Sequence, residues 1–558
     1  MCGIICEICY AELNMKQDKD LMQRISRRGP DCIHETSIKI GDISAFFCGS
    51  VLWMQGNQKT VQPLEDCNGV LLYNGDIFDN SWERHTSDTI TIMKRLSVGI
   101  SKQDHIIKEL KSFKGPFSLI YYNKHTKELY FTRDRIGRNT LLLHKNDKSI
   151  IISSVLGRKY ECIEIPATHL YKFNIITKKI ELFNWSDDTS EEYDIQYWLD
   201  IVKLKQNQPD EDFITEFDGI NLTEEFEENI VKFIDEVAHE NLNKWQIMER
   251  LLEQAQIEDT VKKLVNLLEL SVKIRVETQP NKCKKCLFSL NNNCEHSTVG
   301  ILFSGGLDCT VLAFIANKYV PVEQSIDLYN VAFKKEENST YNVPDRITGR
   351  QTFEELKKLC PSRKWMFKEV DVSKELLEEQ QKTIIADLVH PRKTILDESL
   401  GSALWFAARG RDCEESNCRV LLLGSGADEL FGGYTRHRNA FRRHGWSALS
   451  NELQLDWKRI SFRNLARDNR VICDHGCQPR MPYLDEDFVD FVLKLKPWLK
   501  CYPCHALGPG LGDKLILRLV AYNLGLREVT TIPKRALQFG SRIANKKERG
   551  CDLSKNLC

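Results

Sequence analysis

Six consecutive residues, Ser304 to Cys309, have the types and order of a loop that binds a phosphate group. They read Ser-Gly-Gly-Leu-Asp-Cys, and apolar runs at 301–303 and 310–315 flank them. The pattern predicts a buried strand, a tight glycine turn and the start of a helix, whose exposed N–H groups favour an anion. A simple strand-to-helix connector has no need of Asp308, whereas a carboxylate beside a phosphate requires a hard cation such as Mg2+ between them. We therefore expect a metal-bound nucleotide here.

The same loop excludes the commoner nucleotide-binding motif, because the sequence has no GxxxxGK[ST] segment that would bring a lysine to the terminal phosphates. SGGLDC resembles instead the pyrophosphate loop of the ATP pyrophosphatases, which split ATP between its α- and β-phosphates. The residues that this resemblance assigns to ATP binding are Ser304, Gly305, Gly306, Leu307, Asp308 and Cys309. That family usually has a hydroxyl residue at the last position, so Cys309 keeps the backbone cradle but removes one oxygen donor.

A second glycine-rich loop, residues 424–434, follows another apolar run and reads Gly-Ser-Gly-Ala-Asp-Glu-Leu-Phe-Gly-Gly-Tyr. Between the two loops, strand and helix patterns alternate, which is typical of a doubly wound parallel α/β sheet. The predicted strands are 328–333, 365–370 and 420–423, and the predicted helices are 352–360 and 400–408. Ligands of such sheets bind at the carboxyl ends of the strands, so we expect both loops on one rim.

Each loop contains an aspartate, Asp308 in the first and Asp428 in the second. On a shared rim these two carboxylates predict one Mg2+ site. The second loop is expected to contact the nucleotide through Gly424, Ser425 and Gly426. The structural alternative is a glycine-rich turn with an acidic helix start, which is stabilising in its own right; two such loops on one rim favour the metal site.

The start of the chain has a second candidate centre, Cys2. Methionine before a small residue is readily trimmed, and loss of Met1 would leave Cys2 with its own α-amino group. Such an amine titrates at about 7.7 to 8.0 and can accept a thiol proton near neutral pH. Asn74 and Gly75 end a predicted strand, where Asn-Gly is a favoured hairpin turn but could also hold an oxyanion beside the thiolate. A lone early cysteine is otherwise an inert core residue, so its role depends on further motifs.

The N-terminal motifs resemble, in order, the landmarks of class II glutamine amidotransferase domains. They are Arg28-Gly29-Pro30-Asp31, Asn74-Gly75, Ser87-Asp88-Thr89 and Arg133-Asp134-Arg135-Ile136-Gly137. The resemblance implies that Cys2 attacks the side-chain amide of glutamine while Asn74 and Gly75 hold the oxyanion. It also implies that Asp88 binds the substrate's α-amino group, although Asp88 could equally cap the predicted helix 89–96.

The resemblance also predicts the fold of this half, an αββα sandwich of the N-terminal-nucleophile type. Strand patterns that suit its stacked antiparallel sheets occur at 117–122, 128–132, 140–144 and 150–154. One expected residue is missing, the arginine that clamps the α-carboxylate of glutamine. Residues 48–53, where it normally lies, include no basic side chain. Glutamine is therefore expected to bind weakly unless Arg28 or another arginine substitutes.

Length, composition and charge narrow the class of protein. The chain has 558 residues, 42% of them hydrophobic, which suffices for two or three domains. A net charge of −1 gives no reason to expect nucleic acid or an anionic membrane as partner. The sequence has no apolar run long enough to span a bilayer and no signal-peptide core in residues 1–30, so we expect a cytoplasmic protein.

In that compartment the 20 cysteines are expected as thiols rather than as a disulfide framework. One group of them, Cys283, Cys286 and Cys294 with His296, has the residue types of a tetrahedral zinc site. Its spacing is not that of a standard zinc finger. The sequence therefore favours a flexible surface loop with free thiols over bound zinc.

The whole chain resembles the glutamine-dependent asparagine synthetases and looks most like the divergent subgroup called asparagine synthetase domain-containing proteins. Further segments that carry the resemblance are 343–349, 464–472, 481–485, 513–518 and 533–541. The resemblance implies that ammonia from glutamine moves internally to a second site, where the aspartate side chain attacks the α-phosphorus of Mg-ATP. Pyrophosphate would leave with help from Lys514, and ammonia would then displace AMP. The substrates would be glutamine, aspartate and ATP.

This resemblance divides the chain into three parts. They are a glutamine amidotransferase-like domain at 2–184, an acidic linker or insert at 185–257, and an asparagine synthetase-like ATP pyrophosphatase domain at 258–545. The middle part is acidic and irregular, which favours a solvated linker with a marginal amphipathic helix.

Departures from the family pattern leave two functions open. Synthetases usually have glutamate at the position of Ser425, and a serine cannot take a proton from attacking ammonia. Cys309, the missing arginine and Ser425 are three departures, and each would affect a different chemical step. The alternative to an active synthetase is a catalytically weak or inactive pseudoenzyme that binds nucleotide or a protein partner. An RNA-modifying pyrophosphatase is disfavoured by the neutral charge balance, and the acceptor substrate and oligomeric state stay open.

Overall fold

The computed structural model contains two antiparallel sheets followed in the chain by a parallel sheet. It describes residues 2–10, 18–79, 81–83, 85–98, 103–207, 227–288, 294, 296–336, 338–411, 414–544 and 548–557. The strands are β1 Cys2–Cys9, β2 Cys32–Ile40, β3 Ile43–Val51, β4 Leu64–Glu65, β5 Gly69–Gly75, β6 Phe117–Asn123, β7 Glu128–Arg133, β8 Leu142–Lys145, β9 Ser149–Ser153, β10 Cys162–Glu164, β11 His169–Asn174, β12 Lys179–Asn184, β13 Ser190–Asp194, β14 Val299–Leu302, β15 Ile326–Phe333, β16 Trp365–Val372, β17 Gly410–Arg411, β18 Glu414–Glu415, β19 Val420–Leu422 and β20 Gln478–Arg480.

The helices are α1 Lys19–Arg28, α2 Asp88–Ser97, α3 Gln103–Ser112, α4 Ile195–Asn207, α5 Glu228–His239, α6 Lys244–Leu252, α7 Ala255–Glu277, α8 Leu307–Ala316, α9 Pro344–Leu359, α10 Lys374–Gln380, α11 Ala386–Val389, α12 Ile395–Arg409, α13 Ala427–Phe431, α14 Thr435–Ile460, α15 Ala466–Cys473, α16 Glu486–Lys494, α17 Pro497–Lys500, α18 Leu515–Asn523 and α19 Leu537–Gly540. α14 is kinked at His444 and Gly445. None of the described helices is both long and apolar enough to cross a membrane. The cytoplasmic location stays a prediction.

Two antiparallel sheets pack face to face in the N-terminal half. Their strand orders are β10-β8-β9-β1-β3-β2 and β13-β12-β11-β7-β6-β5-β4. Alternation along β1 places Ile4 in the core between the sheets, together with Leu72 of β5 and Ile120 of β6, whereas Ile5 packs on the other face with Ile25 of α1. α2 and α3 cover the outer face of the second sheet. The predicted αββα sandwich of the N-terminal-nucleophile type is confirmed.

The C-terminal sheet has the order β16-β15-β14-β19-β20, and all its neighbouring strands are parallel. β19 is wholly buried and β14 nearly so, as expected of strands covered on both faces by helices. From β14, the sheet extends through β15 to β16 on one side and through β19 to β20 on the other side. The predicted doubly wound α/β domain is confirmed, and its topological switch point lies between β14 and β19.

Two helices are longer than their apolar periods suggested. The predicted helix 352–360 is the second half of α9, which begins at Pro344 in the first helical position, a place where the missing N–H of proline is not needed. The predicted helix 400–408 lies within α12, which starts after Thr394 as a hydrogen-bonding cap. A proline at the first helical position marks the beginning of α9, and a capping threonine marks that of α12.

The middle part, predicted as a solvated linker, contains packed structure wherever it is described. β13 adds to the edge of the second antiparallel sheet, and Trp198 of α4 is buried in the core of the sandwich. α5 and α6 instead bury Ile234 and Met248 in the core that surrounds the parallel sheet. Residues 208–226, with most of the acidic run, lie outside the described residues. The domain boundaries stay predictions.

Buried ion pairs join the two halves. Arg480, at the end of β20, donates through Nη2 to Oδ2 of Asp76 at 2.9 Å, and both side chains are fully buried. Arg470 of α15 likewise pairs with Glu164 of β10. Removing one member of such a pair would leave an uncompensated buried charge, which costs on the order of 3 kcal/mol or more. These contacts hold the two candidate sites in one orientation.

Candidate active sites

The first site forms where β1 begins and β5 ends. Cys2 is the first residue of β1, and its backbone nitrogen donates a hydrogen bond to Oδ1 of Asn74 at 2.8 Å. Gly75 lines the same pocket as Cys2, and Nε2 of Gln62 lies 3.5 Å from the Cys2 sulfur. The structure therefore brings Cys2, Asn74 and Gly75 together. The Asn74 amide nitrogen donates to the Ser118 hydroxyl at 3.2 Å, and its role as an oxyanion donor stays a prediction.

Asp88 lies in the wall of this pocket as the first residue of α2, which Ser87 precedes as N-cap. Asp88 therefore does not cap the helix. One of its carboxylate oxygens accepts from the Thr89 N–H at 2.8 Å, whereas the other is buried without a hydrogen bond of normal geometry. Burial, reinforced by the charge of Asp76, raises the pKa of Asp88 to about 7. A buried carboxylate in this condition is suited to a cationic ligand group.

The described residues that line the Cys2 pocket include no arginine or lysine. They are Cys2, Val51, Leu52, Trp53, Met54, Gln55, Thr60, Gln62, Tyr73, Gly75, Ser87, Asp88 and Thr89. Arg28, the substitute that the sequence suggested, is buried outside this lining and donates to Oδ1 of Asn469 at 2.9 Å. Its guanidinium belongs to the contact between the two halves.

A row of buried asparagines, which the sequence analysis missed, extends from Cys2 toward the second half. Asn139 donates to the backbone oxygen of Asn74 at 2.7 Å, and Asn469 donates to Oδ1 of Asn139 at 3.0 Å. Asn469 lies in α15, next to Asp468 in the lining of the second site. The signals in the sequence were the position of Asn139, two residues after the RDRIG motif, and that of Asn469 within the segment 464–472.

The second site is a cavity of about 260 Å³ at the switch point of the parallel sheet, and both glycine-rich loops line it. Gly305 has a φ of +77°, and a Cβ there would lie 2.5 Å from the Cα of Gly349. Gly426 has a φ of +94°. Only glycine adopts such conformations without strain. The two loops are therefore on one rim, as predicted.

Asp308 and Asp428 converge on the ammonium group of Lys514. Its Nζ lies 2.6 Å from an oxygen of Asp308 and 2.6 Å from an oxygen of Asp428, and Lys534 lies 3.1 Å from the other oxygen of Asp428. Although burial opposes it, Lys514 and Lys534 together lower the pKa of Asp428. Likewise, the two carboxylates outweigh burial and raise the pKa of Lys514. Asp428 and Lys514 are therefore charged at neutral pH. Burial raises the pKa of Asp308, although the ammonium of Lys514 opposes the shift.

The close approach of these groups depends on Gly433. A Cβ at this position would lie 1.9 Å from Oδ1 of Asp428 and 2.5 Å from Cε of Lys514. Lys514 itself has a φ of +53° directly before α18, a conformation that L residues rarely adopt. Such strain persists only where the surroundings impose it. Backbone geometry thus holds Lys514 between the two carboxylates.

Cys309 and Ser425, the two departures from the family pattern in these loops, both line the cavity. The Cys309 thiol donates to the backbone oxygen of Gly306 at 3.3 Å and lies 3.7 Å from the Ser304 hydroxyl. Gly306 N–H is bonded to Ser304 Oγ at 3.3 Å. Cys309 therefore links the end of the first loop back to Ser304 and Gly306 in the same loop.

Glu429 is a further residue of the second site that was not assigned from the sequence. It lies in α13, lines the cavity, and accepts hydrogen bonds from the Tyr434 hydroxyl at 2.7 Å and the Asn464 amide at 3.2 Å. Burial, reinforced by the charge of Asp428, raises the pKa of Glu429 to about 7. Its position directly after Asp428 in the loop was the available signal.

The third candidate group lies apart from both sites, in the segment between α7 and β14. Cys283, Cys286, Cys294 and His296 each direct one potential ligand atom into a space where all four atoms lie within 4.8 Å of one another. The sequence favoured separate free thiols in a loop, and the structure brings the four side chains together.

Comparisons with known proteins agree with this architecture. Residues 295–447 and 441–551 match the family model described as asparagine synthase, and residues 1–159 match that of a glutamine amidotransferase domain. An asparagine synthetase domain-containing protein of Drosophila melanogaster is 39% identical over the full length of both chains. This chain belongs to the asparagine synthetase domain-containing family. The family resemblance found in the sequence is confirmed.

Relatives of the same family occur beyond insects. Asparagine synthetase domain-containing protein 1 of Homo sapiens is 33% identical, over 98% of this chain and 95% of its own length. A putative glutamine-hydrolysing asparagine synthetase of Methanocaldococcus jannaschii is 29% identical over 44% of this chain and 46% of its own length. Membership of the asparagine synthetase domain-containing family therefore rests on the whole chain.

Proposed function

We propose that the chain is a glutamine-dependent amide ligase that converts aspartate to asparagine and forms AMP and pyrophosphate from ATP. The convergence of Asp308 and Asp428 on Lys514, at the switch point of the parallel sheet, is the observation that most supports it. Two carboxylates and an ammonium beside two glycine-rich loops suit a nucleotide that is cleaved with release of pyrophosphate. The family relationship supports the same activity.

In the proposed first step, the Cys2 sulfur attacks the side-chain amide carbon of glutamine, and ammonia leaves with the former thiol proton. Water then hydrolyses the resulting thioester to glutamate and the free thiol. Once Met1 is removed, the Cys2 nitrogen is an α-amino group, and Asn74 Oδ1, 2.8 Å away, orients it to accept the thiol proton. Asp88 binds the α-ammonium of glutamine with its buried carboxylate. A bound cation would lower the pKa of Asp88 from about 7 and so stabilise its charged form.

In the proposed second step, the aspartate side chain attacks the α-phosphorus of ATP and pyrophosphate leaves. The carboxylates of Asp308 and Asp428 fit Mg2+, because carboxylate oxygens are its preferred protein ligands. When bound there, Mg2+ neutralises charge on the phosphate oxygens. Lys514, already charged and fixed between the two carboxylates, stabilises the negative charge that develops on the leaving pyrophosphate.

In the proposed third step, ammonia attacks the acyl-adenylate, AMP leaves, and a base takes a proton from the nitrogen. Ser425 cannot do this, whereas Glu429 lies in the same cavity lining with a pKa of about 7. A base with this pKa is half ionised near neutral pH, where proton transfer is most effective. We assign the base to Glu429 and its orientation to Tyr434 and Asn464.

Formation of AMP and pyrophosphate from ATP in the presence of aspartate and ammonium chloride tests this function. The full chain should release both products only when aspartate is present, and asparagine should appear in equal amount. Glutamine should replace ammonium in the wild type but not in Cys2→Ala. If ATP binds and none of these products forms with either nitrogen source, the pseudoenzyme alternative is correct.

A further inference from the structure

Three thiols and one imidazole surround a common point in the loop between α7 and β14. Nδ1 of His296 lies 3.7 Å from the sulfur of Cys283, 3.4 Å from that of Cys286 and 3.7 Å from that of Cys294. A tetrahedral zinc ion, with Zn–S of about 2.3 Å and Zn–N of about 2.0 Å, separates a ligand sulfur from a ligand nitrogen by about 3.5 Å. The three distances agree with this value.

We propose that Cys283, Cys286, Cys294 and His296 bind one zinc ion in a structural site. Thiolates and imidazole are the ligands that select zinc over Mg2+ or Ca2+. Four protein ligands complete a tetrahedron and leave no position for a substrate or a reactive water, so the site is structural and not catalytic.

Hydrogen bonding to the histidine alone does not account for three thiols at this distance from one ring nitrogen. Nδ1 of a neutral histidine either donates one proton or accepts one hydrogen bond, so it can satisfy one of the three thiols. The three cysteines are free thiols and do not form a disulfide. A cation at the centre would bind one atom of each of the four side chains at once.

The loop that contains this site lies between the two halves of the protein. On one side, the backbone N–H of Lys284 donates to the oxygen of Asn417 at 3.0 Å, and its ammonium donates to the oxygen of His475 at 3.0 Å. Both partners precede strands of the parallel sheet, β19 and β20.

On the other side, Leu287 lines a cavity together with Trp53 and Gln55. Both of these residues also line the Cys2 pocket. The zinc ion would therefore hold, with four bonds, a loop that is attached to the parallel sheet and forms a wall beside the Cys2 pocket. Metal binding of this kind stabilises the folded state directly, because the unfolded chain has no such site.

Metal analysis of the full chain, purified in reducing buffer, tests the proposal without any activity assay. The wild type should contain about one zinc per chain by inductively coupled plasma mass spectrometry. Cys286→Ser and Cys294→Ser should lose it, whereas Cys67→Ser, which changes an exposed cysteine outside the cluster, should retain it. Cobalt substituted for zinc should show the charge-transfer absorption of thiolate ligands in the wild type and in Cys67→Ser.

Two results would overturn the proposal. One is a folded wild-type protein, checked by circular dichroism, that contains no zinc and binds none when zinc chloride is added to the reduced protein. The other is equal zinc content in the wild type and in both ligand variants. Because the first measurement uses only the wild type, it stays decisive even if the serine variants fail to fold.

Discussion

The ammonium nitrogen of Lys514 lies 2.6 Å from Oδ1 of Asp428, inside the cavity that the two glycine-rich loops line. The lysine side chain is 2% exposed and the aspartate side chain 19% exposed, so water screens their attraction only in part. The same ammonium also neutralises Asp308. The site thus carries its own cation between the two carboxylates that we propose as Mg2+ ligands.

Replacement of Lys514 by methionine should destabilise the protein, because it leaves two neighbouring carboxylates without their common partner. We expect a loss on the order of 3 kcal/mol, toward the lower end for a broken buried pair, since both carboxylates keep some contact with water. Urea denaturation measures the loss. Lys494→Met, which removes an exposed pair with Asp490, should cost less than about 1 kcal/mol. Equal losses in the two variants would contradict this role of Lys514.

Asp428→Asn should weaken binding of Mg-ATP by about tenfold or more, because a hard-cation site loses one of its charged oxygen ligands. Binding of ATP in the presence of EDTA should not weaken, since a negative charge near the phosphates is removed. Isothermal titration with and without Mg2+ separates the two effects, and Asp490→Asn is the surface control. An equal loss in both titrations would mean that Asp428 serves the fold alone.

Cys2→Ala should abolish glutamine hydrolysis and leave the ammonia-dependent reaction unchanged, because the parallel-sheet site does not use the thiol. An N-terminal tag that is not removed should have the same effect, since it blocks the α-amino group that accepts the thiol proton. Glutaminase assays of both forms, with Cys6→Ala as the control in the same strand, make the comparison. Undiminished hydrolysis by the tagged protein would refute the nucleophile assignment.

The ammonia-dependent rate should rise as the pH increases through about 7, where Glu429 loses its proton and becomes a base. Glu429→Gln should remove this rise, when rates are compared at constant free ammonia, and lower the rate by about 100- to 10,000-fold. Pyrophosphate exchange should change little, because it precedes proton removal. A variant that keeps both the rate and the pH profile would assign the base to another group.

The same shift of the Glu429 pKa affects folding. Its pKa in the fold, about 7, is above that of the unfolded chain, so the fold binds the proton more tightly. The associated stability is complete below the unfolded pKa and is lost as the pH rises through about 7. The free energy of unfolding, measured by denaturation, should therefore differ less between pH 6 and pH 8 for Glu429→Gln than for the wild type.

Much of the fold was predictable because its signals are local. The strand before Ser304 and the strands of the antiparallel sheets are short apolar or alternating runs between turn residues, and such runs depend on neighbours in the chain. The described parts of the segment 185–257 were misjudged for the opposite reason. Its charged residues suggested solvent, whereas Ile234 and Met248 are buried only because α5 and α6 pack on the domain that follows.

The four proposed zinc ligands show the same limit at a smaller scale. Cys283 and Cys286 have the spacing of a pair that binds metal, but Cys294 and His296 are separated from them by a stretch of no standard length. The number of intervening residues does not determine whether these four side chains meet. The distances from His296 Nδ1 to the cysteine sulfurs show that they do, because the fold sets those distances.

By itself, the sequence determined which residues are candidates for chemistry: the nucleophile candidate Cys2, the candidate phosphate loop with Asp308 and the second loop with Asp428. Each is a continuous motif whose backbone geometry follows from its own residues. Only the tertiary structure decided the partners, such as Lys514, 206 positions from Asp308, and Asn469, 330 positions from Asn139. Charge compensation and hydrogen bonding depend on distance in space, and packing of sheets and helices sets that distance without regard to separation along the chain.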